Sequence, residues 1–130
     1  MMNEVSSNTA RQQIEQVMFV QNELFSQSKY SEMAGLSELF DSKMETFLET
    51  PTSSIEDILF KVEYSIAFID SCVCDNGKSL ETINKAYHCI ENNAFVEARE
   101  ILNNLIADNE LDDFVLEGAI AALKDLNQFH

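Results

Sequence analysis

The stretch TPTSSIEDILFKVEYSIAFIDSCV, Thr50–Val73, limits what this chain can fold into more than any other. It is the most apolar long run. Ser53 followed three residues later by Glu56 has the spacing of a capping box, in which two side chains satisfy orphan amides at a helix start. Pro51 cannot continue a preceding helix and biases Thr50 towards an extended backbone. Placed at about 100° per residue, Ile55, Ile58, Leu59, Val62, Ile66, Ile69 and Val73 fall on one broad stripe. Phe60, Tyr64 and Phe68 step by four along a second stripe on nearly the opposite side. Lys61 and Ser65 occupy one gap between the stripes, and Glu56, Glu63 and Asp70 the other. A helix apolar on two sides has to be covered on both. Either it is the central helix of a bundle, or its aromatic stripe meets another chain. Monomers rarely expose large aromatic patches, which favours the central helix.

The rest of the chain reads as helices around it. With 130 residues it is long enough for one self-sufficient core, and 3 Gly with 1 Pro leave few tight turns for a sandwich or barrel. Residues 1–8 carry no periodic pattern and are expected to be flexible, with 9–130 forming a single helical domain. From Thr9, Ile14, Val17, Met18, Leu24 and Phe25 recur at helical spacing. Ser31 suits the cap of a second helix running to about Glu49, with Met33, Leu36, Phe40, Phe47 and Leu48 near one side. After the central helix, Gly77 suits a left-handed turn and Ser79 a cap for a helix with Leu80, Ile83, Tyr87 and Ile90 inward. Asn92-Asn93 is a short break. A fifth helix takes Phe95, Ala98, Ile101, Leu102, Leu105 and Ile106. Asp112 or Asp113 caps the last, with Phe114, Val115, Ala119, Ile120, Leu123 and Leu126 apolar. No segment alternates with period two, so the expected class is all-α: a single compact bundle of five to six helices without a sheet.

Charge narrows the functional classes. Eight Lys and Arg stand against 23 Asp and Glu, a formal net charge of −15. Direct binding to a nucleic-acid backbone needs Lys and Arg to meet phosphates and is disfavoured. No run approaches the roughly 20 apolar residues of a membrane span. The N-terminal residues lack the basic-then-apolar pattern of a signal peptide. Three cysteines, Cys72, Cys74 and Cys89, are an odd number, and a reduced, cytoplasmic setting is expected.

Candidates for chemistry are few. Cys72, Cys74, His88 and Cys89 suggest zinc by residue type. In an antiparallel helical hairpin, however, Cys72 and Cys89 would be offset by about 10 Å along the helices, too far for one ion. The acidic run Asp108–Asp113 has Asp113 where a calcium loop needs glycine, and Ala119 where it needs the bidentate Glu. No nucleophile–base spacing and no Gly-rich phosphate loop is present. The sequence thus implies no cofactor, no metal and no enzymatic activity.

Taken together, TPTSSIEDILFKVEYSI and the ending AIAALKDLNQF resemble small all-helical proteins of unknown function from alphaproteobacterial genomes and prophages. Those proteins carry a Thr-Pro-x-Thr-type cap before a helix with a mid-helix Lys, then a last helix ending in Leu-x-x-Leu. Thr50, Pro51, Lys61, Leu123, Asp125 and Leu126 match that pattern. The acidic second helix and the cysteines depart from it. The resemblance covers about a fifth of the chain and implies a compact helical accessory protein without an established activity.

Two functional readings follow. In the first, the chain is a non-enzymatic interaction protein whose Phe60, Tyr64 and Phe68 anchor a protein partner, a second copy of the chain being the simplest. In the second, it is an acidic decoy for a nucleic-acid-binding protein such as a host defence nuclease. Glu38, Asp41, Glu45 and Glu49 would then mimic phosphates, at rises of about 4.5–6 Å along one helix face.

Overall fold

Pro51 divides the chain. Before it, Thr50 is extended (φ −86°, ψ 116°), the conformation that a following proline favours. The computed structural model describes residues 7–52, 54–70, 77–108 and 111–128, and within them there are seven helices and no strand. Contacts group these residues into two compact units, Met1–Thr50 and Pro51–His130.

The first unit holds α1 (Ser7–Ser26), α2 (Tyr30–Ala34) and α3 (Ser37–Glu49). α1 packs on α2 and α3, and Ala10, Ile14, Val17, Met44, Phe47 and Leu48 are buried. Two expectations are corrected here. The helix expected to run unbroken from Ser31 to Glu49 is interrupted at Gly35-Leu36, where the Leu36 N–H turns back to the Met33 carbonyl. Met18 and Phe25 face solvent rather than the core.

The second unit holds α4 (Ile55–Asp70), α5 (Lys78–Glu91), α6 (Phe95–Asp108) and α7 (Glu117–Leu126). Each packs on the next and α7 returns to α4, closing four helices around Ile58, Val62, Ile83, Ile90, Leu102 and Leu126. The connections use left-handed residues where the sequence supplies tolerant ones: Gly77 (φ 80°) opens α5 and Asn93 (φ 62°) follows it. Ser53, the expected cap of α4, lies outside the described residues. The neighbouring Ser54 hydroxyl accepts from the Asp57 N–H at 3.4 Å. Ser79 is buried inside α5 rather than capping it, and Asp112–Leu116 form a turn ahead of α7.

α4 packs on α5 and α7, two neighbours like every helix of this ring rather than the surround of a central helix, and its buried arc runs along an unexpected line. Its fully buried residues are Asp57, Ile58, Lys61, Val62, Ser65 and Ile69. The gap holding Lys61 and Ser65 is thus the middle of the buried arc, and the two apolar stripes are its shoulders. Glu56, Glu63 and Asp70, in the opposite gap, face solvent.

Small residues on α7 explain this. A β-carbon on Gly118 would lie 2.0 Å from the Lys61 carbonyl oxygen and 2.9 Å from the Ser65 hydroxyl, so the two backbones meet where only glycine fits. Ala119, Ala121 and Ala122 continue the close approach. With ten residues, α7 is too short to persist alone, and Leu116 at its N-cap offers no side-chain bond. The cap comes from the neighbouring helix: the Ser65 hydroxyl accepts the Ala119 N–H at 2.9 Å. At the other end, Arg99 Nη1 of α6 donates to the Leu126 carbonyl at 3.0 Å.

Gly118→Ala should therefore cost about 3 kcal/mol or more, because the clash is with backbone that no rotamer change relieves. Ser65→Ala should cost about 1 kcal/mol, the loss of one helix cap. Urea denaturation of the two variants checks both, and a Gly118→Ala protein as stable as the parent contradicts the close helix contact.

Candidate functional site

Two kinds of side-chain cluster in the second unit have the composition of a site, and only one is reachable. The first is the polar seam along Asp57, Lys61 and Ser65. Lys61 Nζ donates to Asp125 Oδ2 of α7 at 2.6 Å, with the side chains 1% and 4% exposed. The Thr52 N–H donates to Asp125 Oδ1 at 3.3 Å, and the Thr52 hydroxyl to Asp57 Oδ2 at 3.4 Å. The Thr52 hydroxyl also accepts the Ser54 N–H at 3.0 Å. The segment leading into α4 is thereby tied to the end of α7. Burial raises the Asp125 carboxyl above its ordinary value of 3.8; the Lys61 ammonium and the Thr52 N–H act against this, and the Asp57 charge adds to it. The seam is enclosed: Asp57, Lys61, Ser65 and Asp125 are all buried.

The second cluster lies on the outer side of α4. Phe60, Tyr64 and Phe68 are half-buried, and Phe68 packs edge-on to Tyr64 with ring centroids 5.0 Å apart. Phe114, from the turn before α7, packs edge-on to Phe68 at 5.6 Å and remains 58% exposed. Sequence periodicity places Phe114 inside the last helix. The structure places it on the surface, where it extends the aromatic stripe. The three aromatics expected as anchors are therefore together on one face, joined by a fourth.

An acidic edge borders this face across Ala67. Glu63 of α4 and Glu91 of α5 are close enough that Glu91 adds to burial in holding the Glu63 carboxyl above its ordinary value. The Tyr87 hydroxyl of α5 is likewise raised, first by burial and then by both carboxylates. Glu91 Oε1 also meets His88 Nδ1 at 2.9 Å on the surface.

In the first unit, Glu38, Asp41, Glu45 and Glu49 are all exposed on α3 and fall within one arc of that helix. α1 presents further exposed apolar side chains, Phe19 and Phe25 foremost, and Phe25 packs edge-on to Tyr30 at 5.7 Å. Cys72, Cys74 and His130 lie outside the described residues; Cys89 is half-buried as a free thiol. Among the described residues, no three His, Cys, Asp or Glu side chains converge as metal ligands, and no helix is long and apolar enough to cross a membrane. Comparison with protein-family models, curated proteins and solved structures finds no match.

The seam makes a prediction whose sign is set by Asp125. Lys61→Met leaves that carboxylate buried without its cation and should cost about 3–5 kcal/mol near neutrality. The cost should shrink below 3.8, the ordinary Asp value, where the carboxyl is protonated. In the parent protein the folded value is raised, so Asp125's contribution is fully present below 3.8 and lost as pH rises through the folded value. Asp125→Asn should remove that slope. Urea midpoints from acid to neutral pH check both, and a Lys61→Met loss equal at every pH contradicts the account.

Proposed function

We propose that this chain is a non-enzymatic helical accessory protein that binds a protein partner through the aromatic face of α4, in a reduced cytoplasmic setting. The observation that carries the reading is the surface position of Phe114 against Phe68, which itself packs on Tyr64. Tyr64, Phe68 and Phe114 form a run of touching rings, with Phe60 one turn earlier on α4, of the kind that interfaces use as anchors. Their edge-to-face contacts hold the rings in place before binding, which lowers the entropy lost on association.

The alternative, an acidic decoy, draws on the exposed arc of Glu38, Asp41, Glu45 and Glu49. From Glu38 to Glu49 the arc runs about 16 Å, room for two to three phosphate spacings of about 7 Å. The two readings differ in how affinity responds to salt. An aromatic contact depends on apolar burial, which salt leaves nearly unchanged, whereas a phosphate mimic depends on charges screened over about 10 Å at 0.1 M salt.

Phe114→Ser should leave the fold intact, with stability within about 0.5 kcal/mol of the parent, because the ring is mostly exposed. It should weaken capture of the native partner at least tenfold, that is by about 1.4 kcal/mol or more. Raising salt from roughly 50 to 500 mM should lower affinity no more than about tenfold. A loss of several orders of magnitude with salt, together with full binding by Phe114→Ser, would transfer the function to the α3 acids.

A further inference from the structure

The two edges of the outer α4 surface differ in chemistry, and that difference describes the partner. Phe60, Tyr64, Phe68 and Phe114 form one edge; Glu63 and Glu91 form the other, with the exposed Ala67 beside them on α4. Glu63 and Glu91 are both exposed, on two helices that pack together. A cation docked on that edge would meet carboxylates from both helices.

A surface with an apolar stripe beside an acidic one complements a helix with an apolar stripe beside a basic one. A second copy of this chain does not meet that requirement. It carries −15 and would repel the first. Of its 8 Lys and Arg, Lys61 is buried against Asp125 and Arg99 holds the Leu126 carbonyl.

We propose that the α4 face receives a basic amphipathic helix of another protein, its apolar side on the four aromatics and a flanking Lys or Arg between Glu63 and Glu91. The proposal rests on the reading that this face is a docking surface and adds the chemistry of what docks. Apolar burial supplies most of the affinity, and the acidic edge sets the direction and register of the incoming helix.

The test uses the full chain and two synthetic peptides of about 18 residues, or five turns of helix. Both carry the same Leu stripe; one has Lys along a flank and the other has Gln there. The Lys peptide should bind about tenfold more tightly than the Gln peptide at low salt. Glu63→Gln with Glu91→Gln should lower its affinity about fivefold. Glu38→Gln with Glu45→Gln, an equal change in net charge made on α3, should leave it unchanged. Phe114→Ser should weaken both peptides. Equal binding of the two peptides, still lost in Phe114→Ser, keeps the docking face and overturns the basic partner. Equal weakening by the α3 pair and the α4/α5 pair reduces the effect to net charge and overturns it too. No binding by either peptide, or binding untouched by Phe114→Ser, overturns the proposal together with the reading beneath it.

Discussion

The second unit depends on a polar contact at its most buried point. Lys61 and Asp125 are drawn out of water together, and each loses hydration that their mutual attraction does not fully replace. The raised carboxyl of Asp125 is a sign of that balance: burial outweighs the ammonium beside it. A pair that adds little net stability still discriminates between arrangements. Any other rotation or register of α7 on α4 would leave one or both charges buried alone, at a cost of several kcal/mol. The pair therefore specifies which face of α4 meets α7, and the apolar shoulders supply the driving force.

The other α4–α7 contacts extend this one. Gly118 lets the backbones approach, the Ser65 hydroxyl satisfies an amide that α7 cannot satisfy for itself, and Thr52 joins Asp125 to Asp57. Once Lys61 and Ser65 point inward, helical geometry places Glu56, Glu63 and Asp70 outward. Phe114 meets the aromatic shoulder from the turn before α7. The proposed docking face is thus a geometric consequence of the buried seam.

Much of the local structure was legible in the sequence. Pro51, Gly77 and Asn92-Asn93 mark real breaks, and Ile83, Ile90, Ala98, Leu102 and Leu105 lie inward as their spacing requires. The rotation of α4 was not legible, because hydrophobic periodicity scores Lys and Ser as solvent-facing. Their partners are distant in sequence: Asp125 is 64 positions from Lys61, and Ala119 is 54 from Ser65. A weak signal was present. A mid-helix Lys in the most apolar helix and an Asp in an otherwise apolar last helix are what an internal pair requires, and Gly118-Ala119 with Ala121-Ala122 marks a close helix contact. Phe114 was misplaced for another reason: its spacing to Ile120 continues a helical pattern, but the turn from Asp112 to Leu116 intervenes. The division at Thr50-Pro51 was readable as a helix end and not as the limit of a unit, because that depends on contacts across the fold.

The claim on which all of this rests is that the Lys61 face of α4 is interior. Amine labelling of the native protein, read by peptide mass spectrometry, addresses it directly, since the chain has one buried lysine among several exposed ones. Lys29, Lys78, Lys85 and Lys124 should label rapidly, and Lys61 should remain unmodified until the unit unfolds in denaturant. Labelling of Lys61 at the rate of Lys85 under native conditions would place that face in solvent and contradict the account.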